Sequence, residues 1–322
     1  MSAAAAAAHP LMLQTVSRAF FQILAGSQLL KSVASRAGMR GRGGFARRFI
    51  AGETVEEAIE AARQLEAAGL MVTLDFLGES VASTAEAGAA TRAYLAVIDK
   101  IAAAGIERNI SLKLTQLGLT VDRATCVDNL RRILDAAKTH GFFVRIDMEN
   151  SPYTAVTLDV FETMWQQGYR NAGVVLQSYL PRSEADAARM NELGARVRLV
   201  KGAYNEPKDV AYQAKSDVDA AFVRIMQTLL AGGHYPAIAT HDPAMLDGTV
   251  AFARAKALNQ TRFEFQMLYG IRRDLQNSLH RQGYRVRVYV PFGREWFPYF
   301  MRRLGERPAN IGFVIRGVLS ER

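Results

Sequence analysis

The chain has 322 residues, with 40 Lys and Arg against 31 Asp and Glu, a formal charge of +9, 49% hydrophobic residues and one cysteine. That composition excludes a disordered tail, and the lone Cys126 excludes an internal disulfide framework or a cysteine-based zinc site. No apolar run approaches the roughly 18 residues of a membrane span, and the Ala-rich start lacks the basic region of a secretory signal, so a cytoplasmic location is expected.

The first 69 residues read as helices over Leu11–Leu24, Gln28–Ala37 and Val55–Ala67, with an Arg- and Gly-rich stretch, Arg36–Arg48, between the last two. Arginine interleaved with glycine can bind phosphate backbones. One short copy reads better as a helix-connecting loop with solvated charges, and no nucleic-acid partner is expected. Glu56 and Glu57 fall in the first turn of the third helix, where the helix dipole favours them.

From Leu70 onward short β-branched or apolar runs alternate with helical patterns. The runs are Leu70–Leu77, Asn109–Leu114, Phe142–Asp147, Gly173–Gln177, Val197–Lys201, Pro236–Thr240, Arg262–Gln266 and Arg285–Val290. Between them, Ala85–Ala104, Arg123–Thr139, Thr157–Gly168, Ala185–Leu193 and Asp217–Leu230 carry apolar residues at three- and four-residue spacing. Ser183 and Asp217 read as N-caps, Gly194 and Gly232 as helix stops. This alternation is that of an α/β fold, a (β/α)₈ TIM-type barrel. A doubly wound sheet would bring a Gly-rich first turn, and Thr73–Ser80 contains no G-x-G-x-x-G. One domain is therefore expected, with a helical arm over 1–69 and a catalytic barrel over 70–322.

Barrel enzymes carry their chemistry at the C-terminal strand ends. Those positions hold Asp75, Glu79, Lys113, Asp147, Glu149, Gln177, Arg198, Lys201, Thr240, His241, Gln266 and Tyr289. Of five histidines only His241 lies at a strand end, so no metal site is expected. Lys201 or Lys113 could form a Schiff base, as in aldolase-type lyases, given cationic neighbours. The cations together with Gln177, Gln266 and Thr240 suit a large anionic ligand better than a hydrolytic water. On a final helix starting near Glu295, Tyr299, Arg302, Arg303 and Glu306 form one stripe. Two adjacent arginines there make a fork for a carboxylate. The alternative is an exposed face with a weak Arg302–Glu306 pair, against which Trp296, Phe297 and Phe300 argue for burial.

The Tyr299-Phe-Met-Arg302-Arg303 sequence resembles the Y-x-x-R-R signature of proline dehydrogenases. TLDFLGES (Thr73–Ser80), SLKL (Ser111–Leu114), RIDMEN (Arg145–Asn150), VLQSYLPR (Val175–Arg182), VRLVKGAY (Val197–Tyr204), ATHD (Ala239–Asp242) and VYVPFG (Val288–Gly293) resemble the same family, in the same order, over about Arg47–Arg316. The likeness is to the short, monofunctional bacterial enzyme. It implies a distorted barrel that binds FAD and oxidises L-proline to Δ1-pyrroline-5-carboxylate by hydride transfer to flavin N5, the first step of proline catabolism. The resemblance further implies that Arg302, Arg303 and Lys113 hold the proline carboxylate and that Tyr289 and Tyr299 wall its ring. Asp147 would be the essential carboxylate and Arg198 would lie against the flavin N5 edge. Gln177, the backbone of Ile146, Lys201, Gly202, Ala203, Thr240 and His241 would contact FAD. Glu79 would pair with Arg302 when the site closes, and Glu306 would brace Arg303. An aromatic residue often follows the KGAY motif, but Asn205 stands here. The family passes electrons to a membrane quinone, which implies peripheral contact at the inner membrane face. The N-terminal helices could make that contact or pack on the barrel or between subunits of an oligomer.

Overall fold

Runs rich in Val, Ile and Leu, buried on both faces, form parallel strands. They are β1 (Met71–Phe76), β2 (Asn109–Leu112), β3 (Phe143–Ile146), β4 (Ala172–Gln177), β5 (Arg196–Val200), β6 (Ala237–Ala239), β7 (Glu264–Leu268) and β8 (Val286–Phe292). The computed structural model describes Met39 and residues 44–306. The expected helices Leu11–Leu24 and Gln28–Ala37, most of Arg36–Arg48 and the side chain of Glu306 lie outside the described residues. The strands close in chain order, with β1 paired in parallel to β8 from Met71↔Arg287 to Phe76↔Phe292. The result is a (β/α)₈ barrel.

The helices are α1 (Val55–Ala67), α2 (Thr84–Ala104), α3 (Arg123–Thr139), α4 (Thr154–Gln166), α5 (Ser183–Leu193), α6 (Lys215–Gly232), α7 (Pro243–Ala255), α8 (Arg273–Arg281) and α9 (Trp296–Glu306). Helix α1 starts in a capping box, Thr54 with Glu57, and Arg47 pairs with the Glu57 carboxylate at 2.5 Å. Its buried Val55, Ala58, Ile59 and Ala62 join the same core as the strands. The segment before it is tied to the end of β8: Ala51 N–H donates to Pro291 O at 2.9 Å, and Gly293 N–H to Gly52 O at 2.9 Å. Helix α1 therefore covers β8 and β1 from outside. The helix that follows β8 in sequence, α9, lies instead at the barrel mouth. Its Trp296, Phe297, Phe300 and Met301 are buried with Phe49, Ile50, Leu77 and Tyr289 in a second apolar cluster, which fixes the helix over the strand ends.

Four local expectations change. Ser183 is the first residue of α5 rather than its cap, because its hydroxyl donates to Gln177 O at 2.7 Å. Asp217 falls inside the first turn of α6, which is preceded by Ala214. Gly232 ends α6 as a helical residue and Gly233 follows as the cap, whereas Gly194 does close α5 in the left-handed region at φ 70°. Strand β7 begins two residues later than its apolar run, because Gln260–Arg262 form a 3₁₀ turn capped by the Asn259 side chain on Thr261 N–H at 2.8 Å.

Candidate active site

The C-terminal ends of the strands and α9 enclose a cavity of ≈ 380 Å³. Its wall includes Lys113, Asp147, Gln177, Arg198, Lys201, Gly202, Ala203, Thr240, His241, Tyr289, Tyr299, Arg302 and Arg303. Ile146 and Glu79 are not on that wall: Ile146 is buried in the barrel core, and Glu79 lies behind Arg302.

Asp147, just past β3, is the hub. Its Oδ1 accepts from Arg198 Nη1 at 2.7 Å and its Oδ2 from the Tyr289 hydroxyl at 2.9 Å. Arg198 also donates through Nη2 to Ser111 Oγ at 3.0 Å, across the barrel interior, and its guanidinium lies 5.2 Å from the Tyr289 ring centre. Lys113 Nζ stands 3.5 Å from Asp75 and 3.7 Å from Asp147. Burial works against the Lys113 charge, but Asp75 and Asp147 outweigh it and raise its pKa, so the ammonium persists. Burial raises Asp75 above its ordinary value, and Lys113 offsets this only in part. Burial, reinforced by Asp147 and Asp75, also raises the Tyr289 phenol, which therefore stays a neutral donor.

Among the described residues, Gln177 Oε1, Gln266 Oε1 and Arg198 Nε are buried on cavity-lining side chains with no hydrogen-bond partner. Buried groups of this kind are normally satisfied, so they mark where a polar ligand completes the wall. Gln177 is oriented by its Nε2, which donates to Glu149 O at 3.2 Å. Gly202 has φ 114°, and a Cβ there would meet the Tyr179 ring at 2.5 Å, so only glycine lets this loop line the cavity. His241 Nε2 accepts from Leu268 N–H at 2.9 Å, which leaves Nδ1 as the protonated nitrogen of the neutral ring.

Lys201 donates to Asp219 at 2.5 Å and to Asp242 at 2.7 Å. Burial opposes ionisation of Asp242, but Lys201 and Lys215 outweigh it and hold the carboxyl at about 2. A lysine set between two carboxylates is a poor imine former, because that chemistry needs cationic or apolar neighbours. The Schiff-base alternative loses its best candidate.

On α9, Arg302 makes a two-point ion pair with Glu79 from the β1 loop, one bond being Nη1 to Oε2 at 3.1 Å, the other Nη2 to Oε1. With its side chain 13% exposed, Arg302 belongs to a closed mouth and not to a solvated helix face. Arg303 stacks on Tyr299 at 5.3 Å. Sequence reasoning missed Tyr204, whose ring lies 5.9 Å from the Arg302 guanidinium and whose phenol is raised by burial; its place in the KGAY motif was the available signal. Asp75 stood in the strand-end ring without a role, and Asp219 had no signal at all. Asn205, at the position of the usual aromatic, is exposed.

The proline dehydrogenase family profile matches residues 58–316. The chain is 42% identical to proline dehydrogenase 2 of Bacillus subtilis (strain 168) over 306 residues, which cover 95% of this chain and 100% of the relative. It is 44% identical to a Deinococcus radiodurans proline dehydrogenase over 280 residues, 86% of this chain and 90% of the other. Among solved structures, proline utilization A from Bdellovibrio bacteriovorus, inactivated by N-propargylglycine, superposes with a TM-score of 0.77 at 28% identity. That match covers 81% of this chain, which spans only 32% of the longer protein.

Proposed function

The chain belongs to the proline dehydrogenase family, oxidoreductases of proline catabolism, and from that premise we propose that it converts L-proline to Δ1-pyrroline-5-carboxylate with FAD as its cofactor. The observation that carries this reading is the cavity wall itself, which combines the buried cations Lys113 and Arg198 with buried polar atoms, Gln177 Oε1, Gln266 Oε1 and Arg198 Nε, that have no partner among the described residues. FAD, when bound, supplies the two-electron acceptor that takes the hydride at flavin N5. The residues present fit such a group. Among the described residues Gln177 Oε1 and Arg198 Nε have no protein partner, Lys201, Gly202, Ala203, Thr240 and His241 line the cavity, and the backbone of Ile146, outside that wall, is proposed as a further contact.

The chain's own work is orientation and electrostatics. Arg302 and Arg303 take the proline carboxylate as a fork, with Lys113 as a third cation. Tyr289 and Tyr299 bound the ring, and Tyr299 excludes larger or hydroxylated rings. Asp147 holds Arg198 and Tyr289 in fixed directions, so the substrate meets a preorganised wall. Surrounding cations disfavour the ammonium form of proline and so free the nitrogen lone pair for iminium formation. Glu79 closes the mouth through Arg302. Electrons then pass to a quinone, met at the membrane surface.

The test is the absorbance spectrum of the FAD-loaded protein without oxygen. Flavin bands that bleach on adding L-proline support the proposal. A protein that cannot be loaded with FAD, or whose flavin does not bleach, refutes it.

A further inference from the structure

Glu79 meets Arg302 from a short loop that is held in an uncommon shape. Ser80, its neighbour, has φ 45°, in the left-handed region that a non-glycine residue keeps only when its surroundings impose it. Thr120 holds the loop's far end, its hydroxyl donating to Val81 O at 2.9 Å, and two contacts around Ser80 come from Thr115. Ser80 N–H donates to Thr115 Oγ1 at 3.1 Å, and Val81 N–H donates to Thr115 O at 3.3 Å. On the other side of Glu79, a Cβ on Gly78 would lie 2.2 Å from Gln116 Nε2, so the loop is pressed against the residue after Thr115 as well.

Thr115 is itself clamped. Its N–H donates to Glu149 Oε1 at 3.1 Å and its hydroxyl to Glu149 Oε2 at 2.5 Å. A hydroxyl has one proton. With that proton donated to the Glu149 carboxylate, Thr115 Oγ1 faces Ser80 as an acceptor, so the direction of each bond is set. Glu149 in turn stands two residues after Asp147, and its backbone carbonyl accepts from Gln177 Nε2 at 3.2 Å. The hydrogen bonds therefore run unbroken from the proposed cofactor wall to the loop that carries Glu79.

We propose that Thr115 is a positioning residue for the mouth of the site: oriented by Glu149, it sets the backbone of the Glu79 loop so that the carboxylate meets Arg302. Thr115 does not line the cavity. The proposal rests on the reading of Glu79 as the closing partner of Arg302, and the experiment separates the two.

Steady-state kinetics are measured on FAD-loaded Thr115→Val, Thr115→Ser, Glu79→Ala and the Glu79→Ala/Thr115→Val double variant, each checked by thermal melting. Valine keeps the shape and removes the hydroxyl. Loss of that one hydrogen-bonded link raises KM for proline about fivefold in Thr115→Val, with kcat within about twofold. Thr115→Ser, which keeps the hydroxyl, restores KM. In the Glu79→Ala background Thr115→Val adds nothing further, since the loop has no carboxylate left to place. Glu149→Gln, which turns one acceptor into a donor facing Thr115, raises KM in the same direction and serves if Thr115→Val does not fold. Unchanged KM in Thr115→Val, equal impairment in Thr115→Ser, or multiplying effects in the double variant would each overturn the role of Thr115. Unchanged KM in Glu79→Ala would overturn the closing role of Glu79 itself.

Discussion

The barrel interior holds two buried charged layers, and they are built in opposite ways. Near the N-terminal strand ends, Arg287 is saturated: Nε meets Glu264 at 2.8 Å, Nη2 meets Glu264 at 3.0 Å, and Nη1 meets Glu107 at 2.6 Å and Val72 O at 2.7 Å. Arg145 in the same layer gives Nη1 to Val174 O at 2.9 Å and Arg196 O at 2.6 Å, bonds to backbone carbonyls rather than to a carboxylate. At the C-terminal ends Asp147 is closely paired with Arg198 and Tyr289, but the pairing around Lys113 and Asp75 is loose. Lys113 stays 3.5 Å and 3.7 Å from its carboxylates, and among the described residues neither Asp75 oxygen has a partner within hydrogen-bonding geometry, Tyr289 being near enough only to influence its ionisation. Burial is similar in both layers. Closed pairing serves stability, whereas buried charge with unused capacity serves a ligand. The two layers are thus a foundation and a site within one barrel.

Mutation can break that distinction. Arg287→Met strands the Glu264 charge and should lower the unfolding free energy by about 3–5 kcal/mol in denaturant titrations, while the folded fraction keeps its KM for proline. Asp147→Ala removes the hub of the upper layer and should lower kcat by about 10²–10³-fold. Arg303→Met should raise KM for proline roughly thirtyfold or more, with FAD still bound; an unchanged KM would remove the carboxylate fork from the account.

The smallest effect is one of sign. Burial raises the pKa of Asp75, so the folded chain holds that proton more tightly than the unfolded chain does. Its contribution to stability is present at low pH and is lost as pH rises above roughly 3.9 through the raised value. Burial works against ionised Glu264 too, but Arg287 outweighs it and lowers the pKa. Its contribution is present above roughly 4.3 and is lost as pH falls through the lowered value. Unfolding measured across acidic pH should therefore lose slopes of opposite sign in Asp75→Asn and Glu264→Gln. Slopes of the same sign would erase the difference between the layers.

Much of this was legible in the sequence because period and spacing are local. All eight strand runs became strands, and α3 has the bounds that its periodicity predicts. The misplaced ends have physical causes that no local pattern carries. Ser183 gives its hydroxyl to the carbonyl of Gln177 at the end of β4 instead of capping, a 3₁₀ turn takes residues from the start of β7, and another leads into α4, which starts at Thr154 rather than Thr157. The cationic half of the site could be named because charge at strand ends, Lys113 and Arg198, and paired arginines on one helical stripe, Arg302 and Arg303, are conspicuous. Its carboxylate partners were harder. That Asp75 serves Lys113, or that Asp219 and Asp242 share Lys201, depends on side chains meeting across strands and loops. Nor does order in the chain reveal that α1 covers β8 while α9 crosses the mouth; the ties between Gly52 and the end of β8 decide that.

The most direct measurement is anaerobic flavin reduction titrated with L-proline in FAD-loaded wild type, Arg303→Met and Arg287→Met. The account predicts that half-saturation shifts roughly thirtyfold or more to higher proline in Arg303→Met and stays at the wild-type value in Arg287→Met. A shift in Arg287→Met with none in Arg303→Met would contradict it.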